Sequence, residues 1–197
     1  MDTLFLILIG ILGLLIGSFL NVCIYRVPRK LGVNRPIRSF CPKCEKQLSW
    51  YENIPLFSWI IQKAKCRNCG EKIPFRYPLV EFLSVLAAIS SCNYFGLTIT
   101  AAIVYILLAT LIVITFIDLD FKIIPNKINY PGMIIGFGLG AVSQWTNLLH
   151  WPLTQGLLDS LYGFLLGGGF FYAIGIFYYF ISKRVGLGGG DIKLMAM

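Results

Sequence analysis

Two aspartates stand where this chain passes from apolar to polar sequence. Asp118 lies in Phe116-Ile-Asp-Leu-Asp-Phe-Lys-Ile-Ile-Pro-Asn126, and Asp191 follows Gly186-Leu-Gly-Gly-Gly190. Only nine of the 197 residues are acidic, so the positions of these two carry information. Ionisable groups at the depth of a membrane edge are costly and are usually retained for function. Two carboxylates brought together share one proton: one activates water as a base while the other polarises a carbonyl as an acid. Asp118 and Asp191 are therefore the candidate catalytic pair. The competing reading makes both of them interfacial charges, paired with Lys122 and Lys193. The glycines before Asp191 would then serve only a flexible loop or close helix packing, as Gly167-Gly-Gly169 also can. No strand pattern precedes the glycines, which argues against a dinucleotide-binding turn.

The cysteines suggest a different chemistry. Cys41-Pro-Lys-Cys44 and Cys66-Arg-Asn-Cys69 are two C-x-x-C pairs with 21 residues between them. Two tight turns that each offer two thiolates can complete a tetrahedron around zinc. Four thiolates leave no open position for water, so the predicted role is structural. The alternative is a pair of disulfides, which a reducing compartment disfavours. Cys23 and Cys92 fall on apolar segments and read as ordinary buried small residues.

The elements that must carry these groups are membrane helices. The chain is 57% hydrophobic and 13% charged, against about 25% charged in a soluble domain. Five apolar blocks approach the length that spans a bilayer, at about residues 4–25, 79–95, 97–117, 128–145 and 157–181. The first lacks a basic leading segment and a small-residue cleavage site, so it reads as an uncleaved helix. Residues 26–78 form a soluble insertion, too small to fold on an apolar core alone. Twelve Lys/Arg and three acids fall between Arg26 and Arg76. If that insertion is cytoplasmic, the threading puts every other Lys and Arg inside as well, which is the positive-inside rule. The net charge of +8 is thus accounted for by orientation, and nucleic acid is not an expected partner. The N-terminus with Asp2 lies outside, and His150, Trp145 and Trp151 belong to an outer interfacial belt. Residues 191–197 read as the start of a sixth helix too short to cross. The expected fold is all-α and polytopic, with a zinc-stapled cytoplasmic insertion: first helix at 1–25, zinc module at 26–78, peptidase region at 79–197.

Taken together the motifs resemble the bacterial prepilin peptidases, the type IV leader peptidases of the G-x-G-D aspartyl protease group. The resemblance rests on Gly17-Ser-Phe-Leu-Asn-Val-Cys-Ile-Tyr-Arg-Val-Pro28, the paired C-x-x-C motifs, Glu52-Asn-Ile-Pro-Leu56 and Arg76-Tyr-Pro-Leu-Val-Glu81. The Asp118–Asn126 segment and Gly188-Gly-Gly-Asp-Ile-Lys193 complete it, in one order along nearly the whole chain. It implies Asp118 and Asp191 as the catalytic pair, with Asp120 in support. It implies cleavage of type IV prepilin or pseudopilin leaders after a Gly, at the cytoplasmic face of the bacterial inner membrane. It also implies N-methylation of the new N-terminus with S-adenosylmethionine, an activity associated with the cytoplasmic module. No residue set for the donor follows from it. Glu81 is one guess, against a plain helix-start acid favoured by the dipole. The family pattern continues with further helices beyond the second aspartate. Helix ends separate the two roles: Asp118 follows a helix C-terminus and is expected to be the acid, while Asp191 opens a helix and is expected to be the base. The rival functions are an ion- or proton-coupled transporter and a non-catalytic scaffold.

Overall fold

The computed structural model describes residues 3–34, 38–146, 156–183 and 188–196, with backbone only at 144–146. The regular elements among them are helical, apart from two isolated antiparallel bridges, Phe40 to Gln47 and Lys65 to Lys72. The helices are α1 (Thr3–Arg26), α2 (Phe57–Ile61), α3 (Arg76–Phe95), α4 (Ile99–Phe121), α5 (Asn126–Thr146), α6 (Leu157–Phe164), α7 (Phe170–Ser182) and α8 (Gly189–Met195). A 3-10 turn occupies Trp50–Asn53, and a single π turn at Leu165–Gly169 joins α6 to α7. The chain divides into two units, Met1–Phe121 and Lys122–Met197. Four helical runs are long and apolar enough to cross a membrane: α1, α3, α4 and the continuous run Leu157–Ser182. Residues 126–146 also form a helix, as expected, and its polar residues Asn126, Lys127, Asn129, Ser143 and Gln144 make it less apolar than those four.

In the first unit α1, α3 and α4 pack on one another. Lipid tails are as apolar as leucine, so helices in a membrane associate by close approach of small residues and by buried polar contacts. Both devices are present. A Cβ added at Gly13 would lie 2.9 Å from the Val85 Cα, and one at Gly17 only 2.7 Å from the Glu81 Cα. The facing side of α3 carries Glu81, Ser84, Ala88 and Ser91, all buried. The Ser84 hydroxyl donates to the Gly13 carbonyl at 2.8 Å and lies 2.9 Å from the Tyr105 hydroxyl of α4. The Asn21 carboxamide donates to the carbonyls of Tyr77 and Gly17, at 3.0 and 3.4 Å. Leu4, Leu8, Leu12 and Leu15 of α1 are exposed in the isolated chain, as lipid-facing residues should be. Cys23 and Cys92 are half-buried rather than fully buried.

In the second unit α8 packs on the π turn. A Cβ on Gly167 would collide with the Met195 carbonyl oxygen, and one on Gly168 would sit 2.8 Å from the Ala196 Cβ. The second of the two sequence readings of this glycine run, close packing, is the one the structure bears out. His150 and Trp151 lie outside the described residues, as does the Trp145 side chain.

Gly17→Leu is expected to destabilise the first unit by about 1–3 kcal/mol or more, since overpacking forces the helices apart. Gly10→Leu, where an added Cβ meets nothing within 4 Å, leaves stability unchanged. Thermal unfolding of both variants in detergent checks the contrast.

Candidate active site and metal centre

The two C-x-x-C turns are built alike. The Cys41 N–H donates to the Lys46 carbonyl at 3.0 Å and the Glu45 N–H to the Cys41 carbonyl at 2.9 Å. The Cys66 N–H donates to the Glu71 carbonyl at 2.8 Å and the Gly70 N–H to the Cys66 carbonyl at 2.9 Å. The fourth residue after the first cysteine is left-handed in both, Glu45 with φ 56° and Gly70 with φ 71°. A Lys43–Glu71 ion pair joins the turns, and it raises the Lys43 ammonium pKa. The four sulfurs lie within 4.8 Å of one another, with Cys41 and Cys69 3.8 Å apart. Metal–sulfur bonds of about 2.3 Å give a tetrahedral edge near this spacing. The Asn68 side chain and the Lys46 backbone N–H stabilise the Cys44 thiolate and lower its pKa to about 6. Backbone N–H groups of Cys69 and Asn68 lower that of Cys66. The donor set and its polar surroundings can hold a metal ion.

Asp118 is half-buried on α4 and forms no hydrogen bond or ion pair with a described residue. It does not follow the helix, as the sequence suggested. α4 continues through Phe121, so Asp118 occupies its last turn. Two groups let the helix run on past the apolar block. Asp120 pairs with Arg76 at the start of α3, and Arg29 lies over the Phe121 ring at 4.9 Å. Left-handed Lys122, with φ 55°, then stops it, and Pro125 follows.

Asp191 stands in the first turn of α8, with Gly188 as the preceding cap. Its Oδ2 accepts the Gly188 N–H at 3.2 Å. The glycines around it have distinct steric duties. A Cβ on Gly188 would lie 3.0 Å from that same Oδ2, and one on Gly190 would lie 2.9 Å from the Ile124 Cβ. One on Gly189 would meet nothing within 4 Å. The spacing G-x-G-D is thus a spacing of two tight positions around a free one. Lys193 turns away from the aspartate: its ammonium donates to Asn126 Oδ1 at 3.0 Å and lies 5.1 Å from the Tyr130 ring centre. That removes the Asp191–Lys193 pairing on which the interfacial-charge reading drew. Asp118 belongs to the first unit and Asp191 to the second. The structure brings the four cysteines together, and it shows each aspartate in its own local setting.

Two residues carry roles that their sequence positions did not announce. Glu81 lies in the second turn of α3, is 7% exposed, and accepts the Leu56 N–H at 2.7 Å. It is not a helix-start acid. Leu56 sits at φ 61° and ψ −53°, and the Phe57 N–H closes a γ-turn on the Pro55 carbonyl at 2.7 Å. Such turns are rare and strained, so the buried carboxylate holds the backbone in a conformation it would not keep unaided. Asn129 of α5 is wholly buried with both amide atoms unpartnered among the described residues.

Known proteins match nearly the whole chain. The profile described as the Bacterial Peptidase A24 N-terminal domain matches residues 11–95, and that of the Type IV leader peptidase family matches residues 105–197. A protein of Myxococcus xanthus named prepilin leader peptidase/N-methyltransferase is 40% identical over 195 residues, 98% of this chain. The chain spans 55% of that relative's length. A Vibrio cholerae protein of the same name is 33% identical over 98% of this chain and 76% of its own length. A type 4 prepilin-like proteins leader peptide-processing enzyme of Escherichia coli O78:H11 is 35% identical over 93% of this chain and 72% of its own length. No solved structure matches significantly.

The glycine geometry makes a graded prediction. Gly190→Ala drives a methyl into Ile124 and is expected to cost about 1–3 kcal/mol, whereas Gly189→Ala keeps or raises stability, because Ala is the better helix residue by about 1 kcal/mol. Thermal melts of the two variants check the order.

Proposed function

The chain belongs to the type IV leader peptidase family, and from that membership we propose that it is a membrane aspartic endopeptidase that removes the leaders of type IV prepilins or pseudopilins. Asp118 and Asp191 are the catalytic pair. The observation that carries this is the setting of Asp191: a carboxylate in the first turn of a helix, behind two glycines where an added Cβ would crowd its own oxygen and Ile124. Asp191 takes a proton from water as the hydroxide adds to the scissile carbonyl, and Asp118 gives its proton to the carbonyl oxygen. In the collapse of the tetrahedral species Asp191 gives its proton to the departing amine while a hydroxyl of the diol returns a proton to Asp118, and both groups are reset. A prepilin leader joined to an apolar helix can reach such a site sideways from the bilayer. Missing side chains beside the aspartate favour an extended backbone there.

The four cysteines hold structural zinc. Four thiolates in a tetrahedral cluster suit zinc and leave no coordination site for substrate. The insertion and both aspartates face the cytoplasm of the bacterial inner membrane, which the distribution of Lys and Arg supports. After cleavage the same protein methylates the freed N-terminus. S-adenosylmethionine supplies the methyl group: the amine lone pair forms the N–C bond as the S–C bond breaks, leaving a neutral thioether, and the nitrogen loses a proton.

Two predictions test this reading. Mass spectrometry of a prepilin incubated with the detergent-solubilised chain is expected to show cleavage after Gly, falling by at least about 100-fold in Asp118→Asn and in Asp191→Asn. Full cleavage by both variants would overturn the assignment of the pair, and no cleavage by the unaltered chain would favour the transporter and scaffold readings. Metal analysis is expected to give one zinc per chain, with loss in Cys44→Ser and Cys66→Ser. Chelation should raise hydrogen exchange in residues 38–75 and leave α4 protected.

A further inference from the structure

A cavity of about 160 Å³ lies within the first unit. Its walls include Asn21 and Tyr25 from α1, Tyr77 and Glu81 from α3, and Glu52 and Trp59 from the insertion. A cavity of about 150 Å³ encloses one benzene ring, so this one takes one end of a nucleoside-sized molecule. Its polar equipment is specific. Glu52 and Glu81 accept the backbone N–H groups of Ser49 and Leu56, at 2.8 and 2.7 Å, and neither is in an ion pair among the described residues. Of the other charged groups on the wall, Glu71 pairs with Lys43, the Arg26 guanidinium donates to the Val33 carbonyl at 2.7 Å, and Lys72 has no ion pair among the described residues. The Asn21 Oδ1 is buried with no partner, an acceptor that lacks a donor. Carboxylates beside Tyr and Trp rings form a setting that favours a cation with an apolar body.

We propose that this cavity binds the cationic end of the methyl donor, with Glu52 and Glu81 recognising its sulfonium and ammonium charges. The proposal deepens the methyl-transfer half of the reading above and rests on it. The residues fit the group, because two carboxylates and an unfilled acceptor face a space sized for one end of the donor. Cys41 and Cys66 also line the cavity, so the metal staple forms one wall of it. The strained turn at Leu56 serves the same site, since the Glu81 that holds it is also a wall residue.

The test is isothermal titration of the zinc-loaded full chain in detergent with S-adenosylmethionine, S-adenosylhomocysteine and adenosine. The variants are Glu81→Gln and Glu52→Gln, each of which keeps an acceptor for its backbone N–H while removing the charge. Each is expected to weaken S-adenosylmethionine by at least about tenfold, the loss of one charged contact. S-adenosylhomocysteine, with a neutral sulfur, should lose less, and adenosine nothing. Hydrogen exchange of the wild-type chain, with and without S-adenosylmethionine, needs no variant and should show protection at residues 52–59 and 77–81. Unchanged affinity in both variants, equal losses for adenosine, or protection confined to other residues would overturn the assignment. If wild-type methylation stands beside such a result, only the cavity assignment falls. If the wild type binds no donor and does not methylate, yet cleaves prepilin, the methyl-transfer reading falls with it.

Discussion

The first unit depends on one close approach, that of α1 to α3 at Gly17 and Glu81. The missing side chain at Gly17 lets the helix backbones meet, with a notional Cβ only 2.7 Å from the Glu81 Cα. The Glu81 carboxylate is thereby taken out of water, and a buried carboxylate must be hydrogen-bonded to be tolerated. It finds its donor in the Leu56 N–H of the insertion. A single residue thus couples the packing of two membrane helices to the backbone of the soluble module. Asn21 repeats the device one turn further along α1, spending its carboxamide N–H on the Tyr77 carbonyl. Ser84 does so in the opposite direction, on the Gly13 carbonyl. The seam is narrow because glycine and serine line it, and it is specific because each buried polar group fits only one register.

The module solves a different problem by other means. A segment of this size buries too little apolar surface to fold on a core. Its Trp50 is 80% exposed, and Trp59 is held by a hydrogen bond to the Ile73 carbonyl and an edge contact with Phe75. The two cysteine turns supply the missing order, and hydrogen bonds from Asn68 and from backbone N–H groups already favour the thiolates of Cys44 and Cys66. Asn68 bonds the Cys44 sulfur and accepts from Lys46 of the other turn, so the two turns support each other.

Much of this was legible in the sequence, and what was not has an identifiable cause. The apolar blocks marked α1, α3, α4 and the α6–α7 run, because crossing lipid demands length and composition that nothing else mimics. The cysteine turns were legible because ligand spacing is local. Helix ends were less so. α4 outruns its apolar block by four residues, since Asp120 is neutralised by Arg76, 44 residues earlier in the chain. Glu81 read as a helix-start acid because nothing near it in sequence reveals that Leu56 would bring it an N–H. The π turn was hidden as well: Leu165–Gly169 looks like ordinary helix until the chain end of α8 is laid on it. In each case the missing term is a partner distant in the chain.

The two aspartates proposed as the catalytic pair illustrate the same division at closer range. Asp191 carries a local function that its position dictates, since a third helical residue can return its side chain to the cap N–H and satisfy an orphan donor. One carboxylate oxygen meets that need at 3.2 Å. The second oxygen has no described partner, so the structural duty orients the group and leaves an atom available for water. Gly188 suits the same geometry, because a Cβ there would lie 3.0 Å from the oxygen that caps the helix. A motif that looks like a flexible loop followed by an acid is therefore better understood as a cap whose acid has one oxygen to spare. Asp118 has no such local duty: it sits in the last turn of a helix, half-buried, with no described partner for its carboxylate. A costly group at a membrane edge with no partner among the described residues fits the chemical role proposed for it.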